Sequence, residues 1–206
     1  MHITVYLGAN CGTDPHLAQA VRELGAWIGA AGHTLVYGGS KTGLMGLLAQ
    51  SALAQGGSVI GVEPECFMAQ ELQYDGLTQL IVTRSMAERK SRMIELGDAF
   101  IAFPGGTGTL EEITEVMSQV SLGQLSAPCI LYDLDGYYCH LKALLDHMIA
   151  SGLSSPGAPA GHPLRPKSPR NSGTAVLISH RGKSPPLFQS LRLWNRKEPA
   201  KLAGSF

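Results

Sequence analysis

Two glycine-rich stretches and one basic helix hold the side chains of this 206-residue chain that could do chemistry. The more informative stretch is Phe103-Pro104-Gly105-Gly106-Thr107-Gly108-Thr109-Leu110-Glu111-Glu112. Glycines let a backbone approach a ligand closely, and a helix expected over about 110–121 offers free N–H groups and a positive dipole end. That assembly suits a phosphate. Glu111 and Glu112 are then expected in the first turn of the same helix, where each complements the dipole by about 0.3–1 kcal/mol. Beside a bound phosphate, however, two carboxylates repel the ligand unless cations intervene. Arg89 and Lys90, in Met86-Ala87-Glu88-Arg89-Lys90-Ser91-Arg92-Met93, can supply them. Residues 1–156 contain seven Lys and Arg, and three of those seven are in this run.

The other glycine stretch is Tyr37-Gly38-Gly39-Ser40-Lys41-Thr42-Gly43-Leu44-Met45-Gly46. It is not a Walker A loop, because Ser40 stands where that motif has the glycine before Lys-Thr. Nor can G-x-G-x-x-G be threaded through it. Its residues alone imply a tight turn from strand to helix.

The elements that must position these residues alternate. Residues 3–7, 34–37, 58–62, 80–83, 99–103 and 129–132 are short apolar runs that read as strands. Helices are expected over about 14–32, with Asp14 as N-cap and Pro15 at the first position, and over about 44–55, 85–96, 110–121 and 138–150. Continuous apolar strands, each followed by a helix, imply a parallel sheet covered on both faces. The expected fold class is α/β, a Rossmann-like doubly wound parallel sheet in a single domain. Both glycine stretches then fall at carboxyl ends of strands, where such sheets bind ligands.

The net charge of zero is unevenly distributed. Residues 1–156 hold 7 basic and 15 acidic residues, a net of −8; residues 157–206 hold 9 basic residues and one acidic, a net of +8, with seven of the twelve prolines. The expected organisation is a catalytic domain over 1–156 and a basic, proline-rich tail over 157–206. Composition reads the tail as disordered, and only residues 175–179 could pass for a strand. The four cysteines are far apart, with no C-x-x-C pair, and are expected to be buried reduced thiols. No apolar run reaches the roughly 18–20 residues of a membrane span, and a cytoplasmic protein is expected.

P-G-G-T-G-T-L-E-E, preceded by the Arg89-Lys90 pair and D-A-F-I-A-F, closely resembles the P-G-G-x-G-T-x-x-E signature of the Lonely Guy (LOG) phosphoribohydrolase family. Y-G-G-S-K-T-G-L-M-G resembles that family's first glycine loop, with Ser40-Lys41-Thr42 as a departure, and D-G-Y-Y at residues 135–138 also matches. The resemblance covers about residues 3–156 and implies hydrolysis of the N-glycosidic bond of a cytokinin riboside 5′-monophosphate, or of AMP. It implies that Gly105, Gly106, Thr107, Gly108 and Thr109 cradle the 5′-phosphate. Gly38, Gly39 and Gly43 of the first loop, Lys90 and Glu71 are implied in substrate binding. Arg89, Glu112 and Glu111 are implied in catalysis, the two glutamates being left undivided. No metal and no organic cofactor is called for, and a homodimer is implied, to which the apolar stripe Ile113, Val116, Met117 and Val120 is a candidate contributor. The family normally ends in a short strand and a helix; here the basic tail replaces them.

Two other functions fit parts of the sequence. A non-catalytic Rossmann-like nucleotide carrier needs the phosphate loop but neither glutamate. Nucleic-acid binding would use the +8 tail but is opposed by the −8 of the rest, and neither nucleic acid nor membrane is expected as a partner. Lysine decarboxylation, a label borne by proteins of this kind, is rejected, because such enzymes hold pyridoxal phosphate on a lysine within a much larger architecture.

Overall fold

The structure is a computed structural model, and it describes residues 1–68 and 74–154, together with strands at 162–163 and 174–179. Six strands, β1 (His2–Tyr6), β2 (Thr34–Tyr37), β3 (Ser58–Pro64), β4 (Gln79–Thr83), β5 (Ala99–Ala102) and β6 (Cys129–Asp133), form a parallel sheet. Their order is β4-β3-β2-β1-β5-β6. The chain works outward from β1 to β4, then crosses back to lay β5 on the other side of β1. That reversal between β1 and β5 is the switch point of a doubly wound sheet, and it opens a crevice at the carboxyl ends of the strands.

Six helices accompany the sheet: α1 (Pro15–Ala30), α2 (Gly43–Ala54), the short α3 (Glu65–Met68), α4 (Met86–Leu96), α5 (Thr107–Ser121) and α6 (Cys139–Ala150). Asp14 caps α1 by accepting from the His16 N–H, and Ser85 caps α4 by accepting from the Glu88 N–H. Alternate residues of the central strands feed two cores. Ile3, Val5, Leu35 and Tyr37 pack with Val21, Leu24, Ile28 and Leu48 of α1 and α2. Tyr6, Val36, Val62 and Phe100 pack with Met93 of α4 and Ile113, Val116 and Met117 of α5. The last three belong to the stripe named as a candidate for a subunit interface. They are buried in the core, and Val120 packs partly buried against it, so the stripe is consumed within the subunit.

A helix start and the placement of the cysteines differ from expectation. Helix α5 begins at Thr107 and not at about 110, because Gly106 serves as N-cap in extended conformation and Thr107-Gly108-Thr109 form the first turn. Glu111 and Glu112 therefore sit in the second turn. Of the four cysteines only Cys129 is buried; Cys11, Cys66 and Cys139 are exposed, lying in a loop and at helix starts instead of in apolar strands. Within 157–206 the described residues are β7 (His162–Pro163) and β8 (Thr174–Ser179), which extend the sheet antiparallel from β6. Among the described residues no helix is long and apolar enough to cross a membrane.

Helices α1 and α2 touch backbone to backbone. A Cβ at Gly25 would stand 2.4 Å from the Leu48 carbonyl oxygen, and one at Gly29 would stand 2.3 Å from that of Ala52. The two glycines, four residues apart, face α2 along one stripe. Alanine in a helix gains about 1 kcal/mol over glycine in propensity, whereas forcing a methyl against a backbone oxygen costs about 1–3 kcal/mol or more. The clash wins. Gly29→Ala is expected to lower the melting temperature by several degrees, and a melting temperature equal to or above that of the wild type would show that α1 lifts off α2 freely.

Candidate active site

Three loops meet at the carboxyl ends of β1, β2 and β5. The loop after β1 runs so close to the start of α2 that a Cβ on Gly43, at φ +54°, would lie 1.5 Å from the Ala9 carbonyl oxygen. On its other side, Gly8 faces Gly105 and Gly106, at 3.8 and 4.0 Å from an added Cβ. The glycines of the two sequence motifs are thus brought into one crevice by the glycine-bearing loop that separates them.

The loop after β5 is held from below. Tyr138 donates its hydroxyl to the Phe103 carbonyl at 2.9 Å, and Tyr137 donates to the Gly105 carbonyl. The Tyr138 N–H is fixed by Asp133 Oδ1 at 2.7 Å. The D-G-Y-Y motif, which sequence reasoning matched without a role, thereby braces the second glycine loop from the turn after β6. Gly106, Thr107 and Gly108 are exposed, and nothing lies within 4 Å of a Cβ added at Gly106 or Gly108. The first N–H groups of α5 are therefore open to solvent, with the helix dipole behind them. Thr109 is buried, its Oγ1 where a Cβ of Gly105 would fall.

The two carboxylates expected beside this loop each meet a cation, and in different surroundings. Arg89 Nη1 donates to Glu112 Oε1 at 2.8 Å, and both side chains are almost wholly buried. Arg89 Nε donates to the Val62 carbonyl at the end of β3, at 2.9 Å. Its other nitrogen, Nη2, lies where a Cβ of Gly38 would be, 2.3 Å from that position. Lys90 Nζ, by contrast, bridges Glu111 at 2.6 Å and Glu115 at 3.1 Å, and Glu111 is exposed. Those hydrogen bonds push the Lys90 ammonium above its ordinary range. Burial pushes the Glu112 carboxyl up, and Arg89 opposes it in part. Glu112 and Glu111, undivided in the sequence, are separated by fold: one is a buried, arginine-bound carboxyl and the other a surface ion pair.

Glu71 lies outside the described residues. Sequence reasoning missed Glu63, the last charged residue of β3, which is 1 % exposed beside the first glycine loop. A single acid ending the apolar run Ser58-Val59-Ile60-Gly61-Val62 was the available signal; it reads as an ordinary exposed turn residue until the loop above it is seen. Among the described residues, the side chains spaced as metal ligands are the exposed Asp14, His16 and Asp135, none of which belongs to the glycine loops or the buried pair.

The fold and site define a doubly wound α/β protein with a glycine loop opening onto a helix N-terminus and a buried arginine–glutamate pair. A family model described as possible lysine decarboxylase matches residues 45–162. A cytokinin riboside 5′-monophosphate phosphoribohydrolase of Rhodococcoides fascians is 44% identical over 155 residues, covering 75% of this chain and 78% of that protein. A protein of the same name from Arabidopsis thaliana is 38% identical over 156 residues, 76% of this chain and 73% of the relative. The chain belongs to the LOG family. Among solved structures, a molybdenum cofactor binding protein from Rippkaea orientalis is similar at a TM-score of 0.56 and 26% identity, over 71% of this chain and 84% of that one. The molybdenum cofactor carrier protein of Chlamydomonas reinhardtii shares the fold, with a TM-score of 0.59 at 23% identity, over 72% of this chain and 84% of that one.

Removing one member of a buried ion pair costs about 3–5 kcal/mol, whereas replacing both with apolar side chains is often neutral. Arg89→Met is accordingly expected to destabilise the protein by that amount in urea unfolding, and Arg89→Met/Glu112→Leu to recover most of it. A double variant no more stable than the single one would mean that the pair is not closed off from water.

Proposed function

We propose that this chain hydrolyses the N-glycosidic bond of an adenine nucleoside 5′-monophosphate, a cytokinin riboside 5′-monophosphate or AMP, releasing the free base and ribose 5-phosphate. The observation that carries the reading is the buried Arg89–Glu112 pair, which ties α4 to the helix whose exposed N-terminus follows Gly105-Gly106. The names of the relatives at 38–44% identity support the same reaction and substrate class.

In this reading the 5′-phosphate is bound by the N–H groups of Gly106 to Thr109, with Gly105 giving the backbone room. Gly38, Gly39 and Gly43 form the opposite wall of the crevice, and Glu71 joins in binding the nucleotide. Lys90 neutralises Glu111, so that the anion meets little repulsion from the second turn of α5. Breaking C1′–N9 places oxocarbenium character on the ribose, and the electron pair leaves with the base. Glu112, oriented by Arg89, stabilises that charge or takes the proton of the attacking water, as carboxylates do in O-glycoside hydrolysis. A carboxyl held above its ordinary range by burial is a stronger base than an exposed one. Glu111, exposed and bound to Lys90, serves the charge balance. The enzyme is further proposed to act as a cytoplasmic homodimer, for which the exposed Met86 and Leu110 on α4 and α5 are candidate contacts. Residues 1–156 are proposed as its catalytic domain.

Neither Lys90 nor Lys142 has the surroundings of a lysine that decarboxylates through a Schiff base. Such a lysine works with a depressed pKa, whereas the Lys90 amine is raised by its glutamates and Lys142 is paired with Asp146.

Incubation with AMP and with isopentenyladenosine monophosphate, followed by separation of the products, tests the reaction; both are expected to yield free base. Charge-assisted hydrogen bonds to the phosphate contribute roughly 1.5–3 kcal/mol each, so kcat/KM for adenosine should fall by at least about a hundredfold relative to AMP. Comparable values for nucleoside and nucleotide would refute the phosphate site. Binding of AMP with no release of base would mark a carrier of the kind suggested by the molybdenum cofactor protein of similar fold.

A further inference from the structure

Glu63, next to last in β3, lies beneath the first glycine loop, and its Oε2 is the one buried side-chain nitrogen or oxygen among the described residues that has no hydrogen-bond partner. It lies beside the Arg89–Glu112 pair by construction. Val62 and Glu63 share a peptide unit, and the carbonyl of that unit accepts from Arg89 Nε at 2.9 Å. The loop Gly38-Gly39 packs against both groups. A Cβ at Gly38 would be 2.3 Å from Arg89 Nη2; one at Gly39 would be 3.0 Å from Glu63 Cβ and 3.3 Å from its Oε2. Guanidinium and carboxyl therefore rest on consecutive residues of one backbone segment.

One buried cation thus has two buried carboxyls as neighbours, and it is bonded to Glu112 and not to Glu63. A second buried carboxylate without a partner is costly, and taking up a proton removes the cost. Facing Glu63 are Arg89 from α4 and the phenol of Tyr37 from β2, the latter raised by burial and by Glu63 itself. The Thr83 hydroxyl of β4 is 3.5 Å from the Glu63 carbonyl oxygen, and the Tyr74 N–H is bonded to Gly39. Among these Arg89 alone favours the ionised form, and burial outweighs it, so the Glu63 carboxyl is held above its ordinary range.

We propose that Glu63 is a positioning residue for the Arg89–Glu112 pair: as a neutral acid under the first glycine loop it leaves the guanidinium to Glu112, and as a carboxylate it draws the guanidinium away. The kinetic part of this proposal rests on the hydrolase reading above; the structural part does not.

Glu63→Gln, a permanently neutral side chain of the same shape, tests it in two ways. The folded carboxyl holds its proton to higher pH than the unfolded one. Between those two points the unfolded state binds fewer protons, and stability falls as pH rises. The wild-type melting temperature is therefore expected to drop relative to Glu63→Gln between pH 5 and pH 9, the two converging at acid pH. With AMP as substrate, wild-type kcat should fall on the alkaline side by about tenfold per pH unit, as for loss of one proton. Glu63→Gln should stay level within about twofold, with KM unchanged. Parallel melting curves overturn the proposal, as does an alkaline limb that is absent from the wild type or persists in Glu63→Gln. If the wild type releases no base from AMP, the hydrolase reading fails and the melting comparison alone decides the role of Glu63.

Discussion

The site depends on one guanidinium. Arg89 reaches from α4 across the carboxyl ends of the sheet, and every contact it makes ties a different element to the crevice. Its Nε is fixed by the Val62 carbonyl of β3, its Nη1 by Glu112 of α5, and its Nη2 occupies the space left by the missing side chain of Gly38 after β2. A buried cation is tolerable only when paired and hydrogen-bonded. The positions of α4, α5 and the first glycine loop are therefore coupled through it. A larger residue at position 38 would not merely narrow a turn; it would displace the charge that holds Glu112.

That coupling also bears on the anion site proposed for a strongly acidic part of the chain. Residues 1–156 carry a net −8, yet the open N-terminus of α5 is flanked by carboxylates already matched to cations. Lys90 takes up Glu111 and Glu115 at the surface, and Arg89 takes up Glu112 inside. In the proposed reading, the helix dipole and the free N–H groups are left to a phosphate. Below, the tyrosines of the turn after β6 hold the loop carbonyls away from it. The backbone supplies attraction and the side chains remove repulsion.

Much of this could be read from the residues in order. The parallel sheet followed from apolar strands alternating with capped helices, and the need for a cation beside each carboxylate followed from placing two glutamates after a phosphate loop. What could not be read depended on the third dimension. Glu111 and Glu112 are adjacent in sequence, but a helix turns by about 100° per residue, so one faces the core and the other solvent. The Ile113–Met117 stripe suited either a core or an interface, since apolar periodicity marks a buried face without saying what buries it. Glu63 escaped notice because its significance lies in Gly39, distant in sequence and adjacent in space. The early start of α5 was hidden by Gly108, a poor helix former that a first turn tolerates.

The central claim is that Glu112, held by Arg89, acts on the scissile bond while the glycine loops bind the nucleotide. The most direct test is the turnover of Glu112→Gln with AMP, measured alongside AMP affinity and melting temperature. General-base and electrostatic roles of a single carboxylate are worth about a hundredfold or more. The account predicts a loss of kcat of at least that size, with affinity for AMP nearly unchanged and the protein still folded at the assay temperature, although its melting temperature falls because Arg89 loses its charged partner. A variant that turns over AMP at close to the wild-type rate would contradict it.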